Sequence, residues 1–404
     1  MSGFNIHIRY KGLSSCLAII LPLCLFFPQV LLGAENSYSV KADFVKELTM
    51  PGDQNSFLRP SRIIVDQNHD EVFVCDQGNG RVLIFGCNGI LKFEFSISEY
   101  CGAALDMAVN NDGQIIILAS SRTGQSLSVF DFDGQYLNTI AITDGSKQKN
   151  FYVSSLAIDD DNIIYLLDQV NSRILCYAVD GKLRRQFPII SDLEKSQRIE
   201  QVFGTLTINM GEIYLPVSTL GMVYRYNLVG KFLGRIGHKG TVMGELNFPV
   251  AVAVTSDKMV MVLDKHRYNV VCYSVDGLFL GEFGGKGYNP GWFYHPTWLA
   301  VDNSNKAYIG QIYNNKVQVC QIPVDFLNRL NEINKKEDTK TQLPDQLGIS
   351  PESVIDSPDL NNDVKNFNIN NHLIKSQILS IEINNNSSFS DGTINFQRGG
   401  ILNA

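Results

Sequence analysis

Three histidines lie in segments that could meet at one site: His238, His266 and His295. Imidazole nitrogens are common zinc ligands, and a zinc ion with an open coordination position activates water or polarises a carbonyl group. These residues therefore predict, as one alternative, a zinc-dependent lyase or hydrolase. The competing interpretation is a protein without a cofactor, in which His238 and His295 are ordinary linker residues and His266 is a solvated turn residue.

A second group of residues suits binding rather than catalysis. Aromatic side chains are concentrated between Tyr288 and Trp298, and the segment 265–268 adds basic residues and a tyrosine. Tyrosine, tryptophan and arginine are enriched at the energetic centres of protein interfaces. The alternative is that the aromatic residues only cover a boundary within the fold. We expect the contact residues to be Lys265, His266, Arg267, Tyr268, Tyr288, Trp292, Tyr294 and Arg62.

Both groups lie in or beside a phrase that the chain repeats. Residues 237–249 and 284–296 share the pattern G-x-x-G-x-x-x-G-x-[LF]-x-x-P, and the end of this pattern recurs before Pro60. Each copy lies between two strand-like runs. A linker reused in this way indicates that the chain consists of copies of one structural unit.

The repeated unit contains four strands and a tight turn. Its first strand recurs six times with a period of about 40–50 residues. Asn-Gly or Asp-Gly follows the third strand at 88–89, 133–134, 180–181 and 276–277. These dipeptides favour hairpin turns because they tolerate positive φ. The pattern predicts an all-β fold, a six-bladed β-propeller of four-stranded antiparallel blades over residues 43–322.

The sixth unit lacks a fourth strand of its own, because Pro323 interrupts the chain soon after Cys320. The run 43–48 reads as a fourth strand without a unit. We expect this N-terminal strand to complete the sixth blade. Such closure would remove two exposed sheet edges that could otherwise pair with other chains.

The units resemble NHL repeats. Residues 60–81 contain P-S-R-I-I-V-D, V-F-V-C-D and N-G-R, and residues 156–173 contain L-A-I-D, I-Y-L-L-D and N-S-R. The resemblance implies a propeller but no particular chemistry, since propellers host many functions. Among similar propellers, peptidyl-hydroxyglycine amidating lyases bind a metal through histidines, and lactonase-type propellers bind a divalent cation through central carboxylates. The resemblance therefore implies a metal-dependent lyase or hydrolase as the alternative function.

Acidic residues recur at equivalent places of the unit, which favours structural roles over catalysis. An aspartate that follows a strand commonly accepts hydrogen bonds from backbone N–H groups of the next turn. We expect this role for the acids that end the first strand, Asp66, Asp159 and Asp302. We expect pairs within one blade for Asp76 with Arg81 and for Asp168 with Arg173.

The first 34 residues lie outside the repeated units. Two basic residues precede an apolar run over 13–32, which is typical of a secretory signal peptide at residues 1–34. Pro22 and Pro28 interrupt the run and disfavour a permanent membrane helix. We therefore expect an exported protein of the periplasm, cell envelope or extracellular space. Contact with a membrane is expected only if this segment stays uncleaved.

The formal net charge of −7 disfavours nucleic acid as a partner, because nucleic-acid binding normally requires a basic surface. Six cysteines lie outside the signal segment, and none forms a C-x-x-C pair typical of zinc or redox sites. We interpret these cysteines as small buried apolar residues rather than as disulfide partners.

The C-terminal part differs from the propeller units. Residues 325–335 carry apolar side chains on one helical face, and Asp325 is a suitable N-cap, so we expect a short helix. Residues 336–404 are polar and rich in asparagine, which predicts a mostly disordered tail. Taken with the expected contact residues, the sequence predicts a non-enzymatic extracytoplasmic scaffold that binds a protein, peptide or glycan through its loop-rich face.

Overall fold

The computed structural model describes residues 41–50, 56–143, 151–194 and 201–341. These residues form six antiparallel sheets of four strands each, as the sequence predicts. The expected signal segment 1–34 lies outside the described residues. Of the expected tail, only the backbone of 336–341 is described, as part of a helix.

Each blade is built from strands that follow one another in the chain, with β1 as the exception. Blade one contains β2 (Pro60–Asp66), β3 (Glu71–Asp76), β4 (Arg81–Gly86) and β5 (Leu91–Ser96). Blade two contains β6 (Ala103–Val109), β7 (Ile115–Ser121), β8 (Gly124–Phe130) and β9 (Tyr136–Ala141). Blade three contains β10 (Val153–Ile158), β11 (Ile164–Asp168), β12 (Arg173–Tyr177) and β13 (Leu183–Pro188).

The second half of the ring repeats the same arrangement. Blade four contains β14 (Thr207–Asn209), β15 (Glu212–Val217), β16 (Met222–Asn227) and β17 (Phe232–Ile236). Blade five contains β18 (Pro249–Val254), β19 (Val260–Asp264), β20 (Asn269–Tyr273) and β21 (Phe279–Gly284). Blade six contains β22 (Pro296–Val301), β23 (Lys306–Gln311), β24 (Lys316–Gln321) and β1 (Asp43–Glu47).

The N-terminal strand closes the ring, as predicted. β1 pairs antiparallel with β24, with Phe44 opposite Cys320 and Glu47 opposite Gln318. Blade six therefore combines the first described strand of the chain with the last three. This pairing satisfies the backbone groups along the outer edge of β24.

The core lies between neighbouring blades. The two middle strands of each sheet are buried on both faces because blades pack on either side of them. In β4, for example, Val82, Leu83 and Phe85 are fully buried although successive side chains point to opposite faces. This explains why the middle strands read as continuous apolar runs, while the outermost strands, such as β5, expose part of their side chains.

The recurrent aspartates stabilise turns and hairpins, as predicted. Asp159 Oδ1 accepts hydrogen bonds from the backbone N–H groups of Asp161 and Ile163, at 3.1 and 2.8 Å. Asp66 and Asp302 accept equivalent bonds in their own blades. The predicted pairs also form, with Arg81 Nε 2.9 Å from Asp76 Oδ2 and Arg173 Nε 2.8 Å from Asp168 Oδ2.

The C-terminal helix α1 spans Val324–Thr341 and is longer than the helix expected over 325–335. Neither glycine nor proline interrupts the chain between Val324 and Pro344, so nothing in the sequence ends the helix at 335. Phe326 and Leu330 are buried against blade five. No helix among the described residues is long and apolar enough to cross a membrane.

Candidate functional site

Each blade presents two kinds of connection at opposite ends of its strands. One end carries the linkers that enter the first strands and the turns between second and third strands; we call it the loop face. The other end carries the turns between first and second and between third and fourth strands; we call it the turn face. This division follows from the antiparallel strand order of every sheet.

A cluster of aromatic rings lies on the loop face of blades five and six. Tyr268 comes from the turn between β19 and β20, and Tyr313 comes from the turn between β23 and β24. Tyr288, Tyr294 and His295 belong to the linker between β21 and β22. These five residues form what we call the tyrosine patch, and three of them are contact residues that the sequence predicted.

Tyr294 lies at the centre of the tyrosine patch. Its ring centroid is 4.3 Å from that of Tyr288, 4.6 Å from that of His295 and 6.3 Å from that of Tyr268. His295 in turn lies 5.1 Å from Tyr313. Tyr288 is 62% exposed and Tyr313 is 68% exposed, so the patch offers large aromatic surfaces to solvent.

The backbone holds two members of the patch in an uncommon conformation. Tyr268 has φ of 60° and His295 has φ of 47°, values that are rare for bulky residues. Asp264 fixes the turn before Tyr268 by accepting backbone N–H bonds from His266 and Arg267, at 3.0 and 2.9 Å. Ser172 and Asn315 have the same conformation at the equivalent position of blades three and six, so at Tyr268 it belongs to the turn that the blades share.

The patch carries a positive electrostatic environment. Lys286 Nζ lies 5.5 Å from the centre of the Tyr268 ring, within the range of a cation–π contact. Burial and the positive charges of Lys265 and Lys286 lower the pKa of His295 below its ordinary value. His295 is therefore neutral near pH 7, while the two lysines supply charge that suits an anionic ligand.

Five of the eight predicted contact residues are not members of the patch. Lys265 lies close enough to His295 to lower its pKa, and His266 stacks on Phe248. Arg267 forms a two-pronged ion pair with Glu282, at 2.8 and 3.0 Å, and its side chain is only 12% exposed. Trp292 is half-buried and has no ring contact with the tyrosines among the described residues; its carbonyl accepts a bond from Gln318. Arg62 lies in the interior of the ring.

The three histidines occupy separate environments. His238 Nε2 lies 3.3 Å from Glu245, His266 stacks on Phe248 with ring centroids 4.4 Å apart, and His295 lies among the tyrosines. Within the described ranges, no group of three or more His, Cys, Asp or Glu side chains has an arrangement that could hold a metal ion. The structure therefore does not bring these histidines together as a zinc site.

Around the ring axis, the innermost strands are linked by a run of polar contacts that the sequence did not reveal. Arg62 of blade one lies 5.6 Å from the Trp298 ring of blade six and 3.4 Å from Asp106 of blade two. Ser155 Oγ of blade three donates to Asp106 Oδ2 at 2.6 Å and accepts from the Leu206 N–H of blade four at 3.0 Å. This axial chain connects five consecutive blades.

Asp106 is the most deeply buried charged group of the axial chain. Its side chain is fully buried, and burial raises the pKa of the carboxyl, while Arg62 and the hydrogen bond from Ser155 oppose that rise. Asp106 accepts one bond from the Met107 N–H of its own strand, and its contacts with Arg62, Ser155 and the Leu156 N–H join it to both neighbouring blades.

Fold and site together define a class of protein: a six-bladed β-propeller with an exposed aromatic cluster and neighbouring lysines on its loop face. No family model matches the chain, and no curated protein is significantly similar to it in sequence. The resemblance to NHL repeats consequently rests on the repeat motifs alone.

Solved structures share the fold at low sequence identity. A Bacteroides thetaiotaomicron protein of unknown function is 14% identical with a TM-score of 0.50, over 69% of this chain and 72% of that chain. An auxiliary nutrient binding protein from Bacteroides ovatus is 16% identical with a TM-score of 0.49, over 66% and 70%. A streptogramin B lyase is 10% identical with a TM-score of 0.48, over 71% and 100%. At these identities the likeness concerns the fold alone.

Proposed function

We propose that this chain is a non-enzymatic, extracytoplasmic binding propeller that contacts a macromolecular partner through the tyrosine patch. The observation that carries the proposal is the continuous contact of four tyrosines and His295, with Tyr288 and Tyr313 largely exposed. Tyrosine supplies a large, rigid and amphipathic contact area at a low cost in side-chain entropy. A soluble protein rarely exposes such a cluster without a binding role.

The charges around the patch favour a partner with carboxylate groups. Lys265 and Lys286 lie close enough to His295 to lower its pKa, and Lys286 also lies over the Tyr268 ring. Aromatic faces with ammonium groups beside them suit an acidic segment of a protein or peptide, in which apolar side chains alternate with Asp or Glu. An anionic glycan is the second source of the same chemistry.

The metal-dependent lyase or hydrolase is the weaker candidate, because no observation favours it. His266 and His295 approach the same surface, but the first is stacked on Phe248 and the second is enclosed by tyrosines. The acids that recur through the blades are occupied by backbone N–H groups and arginines.

Binding of two defined polyanions tests the proposal. Full-length protein would be titrated with poly-L-glutamate and with polygalacturonate at low and moderate salt. We expect poly-L-glutamate to bind more tightly and the affinity to fall with salt, since exposed charges are screened. Tighter binding of polygalacturonate would assign the patch to glycans instead.

Variants of exposed tyrosines test whether the polyanion binds at the tyrosine patch. Tyr288→Ala combined with Tyr313→Ala should weaken binding of the preferred polyanion about tenfold or more, because both rings are exposed anchors. Tyr152→Ala is the matched control, since Tyr152 is also exposed and precedes the first strand of blade three. Binding that survives in the double variant, or that neither polyanion shows, would overturn the proposal.

A further inference from the structure

A cavity lies on the turn face, between blades one and two and away from the tyrosine patch. Its volume is about 580 Å³, which falls within the usual range of small-molecule sites. Phe73 and Ile84 are almost fully buried at its base. Phe93 and Phe132 are its exposed aromatic walls, at 42% and 67% exposure. The rim carries four acids, Asp66, Glu71, Asp112 and Asp133, and two basic residues, His69 and Lys92.

At three other boundaries between blades, an arginine or lysine side chain of the protein lies at the position that corresponds to the cavity. In each, a side chain of one blade donates to a carbonyl in the turn between the third and fourth strands of the next blade. The bonds are Arg185 to the Leu228 carbonyl at 2.7 Å, Arg225 to the Val275 carbonyl at 2.6 Å, and Lys46 to the Cys87 carbonyl at 3.0 Å. Arg185 and Arg225 also lie over the rings of Tyr165 and Tyr214, at 5.7 and 5.9 Å.

The remaining two boundaries are bridged differently. Between blades five and six, Phe326 of α1 lies against Gly281. Between blades two and three, Asn162 donates to Asp112 at 3.1 Å and Asn111 donates to the Asp160 carbonyl at 2.8 Å.

Between blades one and two, no cation of the described residues makes the equivalent bond, although Lys92 and His69 line the cavity. The strand registers place Phe93 at the position that Arg185 has in blade three and Lys46 has in blade six. The equivalent carbonyl is that of Phe132, and no side chain among the described residues donates to it. Lys92, the neighbouring base, is instead paired with Glu71 of its own blade at 3.0 Å. Phe93 and Phe132 both line the cavity, and within the described ranges the Phe132 carbonyl lacks the side-chain donor that its counterparts have.

A second difference concerns Asp66. In blades three and six, the corresponding Asp159 and Asp302 accept a bond from a buried tyrosine hydroxyl, Tyr165 at 2.9 Å and Tyr308 at 3.0 Å. Blade one has Phe73 at that position, so no hydroxyl is present. Among the described residues, the second oxygen of Asp66 bonds only to His69, whose side chain is 65% exposed.

We infer that the cavity between blades one and two binds an organic cation with an apolar body, which takes the place that arginine or lysine occupies at three other boundaries. The ammonium or amidinium group would bind the Phe132 carbonyl and the Asp66 carboxylate. The apolar body would lie between Phe93 and Phe132, over Phe73 and Ile84. The acidic rim attracts such a cation, and a ring face adds a cation–π contribution.

Three probes of similar shape test the charge requirement. The full chain would be titrated calorimetrically with 2-phenylethylamine, its neutral counterpart 2-phenylethanol and the anion 3-phenylpropionate. We expect the amine to bind about tenfold more tightly than the alcohol, with no detectable binding of the anion. An acetylated phenylalanyl-arginine amide distinguishes a peptide side chain from a free amine as the source of the cation. Equal affinities for 2-phenylethylamine and 2-phenylethanol would overturn the inference. So would the absence of binding by both 2-phenylethylamine and the phenylalanyl-arginine amide.

Two variants and one control test whether the amine binds in the cavity. Phe93→Arg introduces the internal cation of blade three and should abolish amine binding, while Asn138→Arg, at the same register position of blade two, should leave it unchanged. Asp133→Asn keeps the turn and removes one negative charge from the rim. It should therefore weaken binding of the amine but not binding of the alcohol. Amine binding that persists in a folded Phe93→Arg protein, or weakens equally in Asn138→Arg, would refute the assignment.

Discussion

Arg62 and Asp106 face each other across the boundary between blades one and two, with Nε 3.4 Å from Oδ1 and the carboxylate completely buried. The same boundary carries the cavity on the turn face. Blades one and two are therefore joined near the axis by an ion pair, whereas their packing is incomplete at the rim.

Replacing Arg62 should destabilise the fold strongly. Arg62→Met leaves the buried Asp106 carboxylate without a countercharge, which typically costs about 3–5 kcal/mol. Urea unfolding at pH 7 would measure the loss. The double variant Arg62→Met with Asp106→Asn removes both charges and should recover much of it, so a double variant as unstable as Arg62→Met would contradict this reading.

The stability of Arg62→Met should depend on pH in a defined direction. Burial raises the native pKa of Asp106, so the folded protein takes up a proton at higher pH than the unfolded chain does. The free energy of unfolding therefore increases as the pH falls through the native pKa of Asp106 towards the pKa of an ordinary aspartate, and it decreases as the pH rises. The stability difference between variant and parent should shrink on acidification, as measured by urea unfolding across pH 4–7. A constant difference would be inconsistent with titration of Asp106.

His295 should titrate below an ordinary histidine. Burial and the charges of Lys265 and Lys286 lower its pKa, and NMR titration of the imidazole C–H signals would report it. Lys286→Ala should raise this pKa, while Lys239→Ala, which alters a lysine outside the patch, should leave it unchanged. An ordinary pKa in the parent protein would mean that the lysines lie farther from His295 than the structure shows.

The six cysteines within the described ranges should be unreactive in the native protein. All six are free and buried, and burial raises the pKa of Cys75 to about 12 and that of Cys176 to about 11. Thiolate is the reactive form, so Ellman's reagent should modify none of them before unfolding. Peptide mapping after labelling in urea gives the reference. Rapid native labelling at any of the six positions would show that its blade opens.

Gly281 should be required for docking of α1. A Cβ atom at this position would lie 2.1 Å from Phe326 Cε1, so Gly281→Val forces the aromatic ring away. We expect a loss of about 1–3 kcal/mol and faster hydrogen exchange in α1. Gly234→Val is the control, since a Cβ there meets nothing within 4 Å. Its φ of 150° also disfavours valine, so only the exchange of α1 distinguishes the two variants.

Local sequence signals predicted the fold well. The Asp-Gly and Asn-Gly turns and the repeated linker located the blades, and the unpaired run at 43–48 predicted ring closure. The aspartates at equivalent places also predicted their own turn bonds. These features succeed because each depends on residues that are close in the chain or that recur in every blade.

The candidate site was predicted less completely, since side chains on the same loop can point in different directions. Arg267 and Tyr268 are neighbours, yet Arg267 is held by Glu282 across the hairpin while Tyr268 joins the patch. Arg62 was expected on the surface but pairs with Asp106 from the next blade. The cavity was not predicted from the sequence. Alignment of the blades by strand register provides a signal for it, because Phe93 occupies the position that Arg185 has in blade three.

Ring closure has a consequence for synthesis of the protein. Glu47 and Lys316, whose side chains pair at 3.2 Å, are 269 residues apart in the chain. A ribosome exposes β1 before every other described strand and its partner β24 after them, so β1 must wait unpaired while five blades form. Contacts of such long range are slow to form. An incomplete chain ending before β24 would leave β1 and the outer edge of β23 unpaired, which makes truncated products prone to aggregation and degradation.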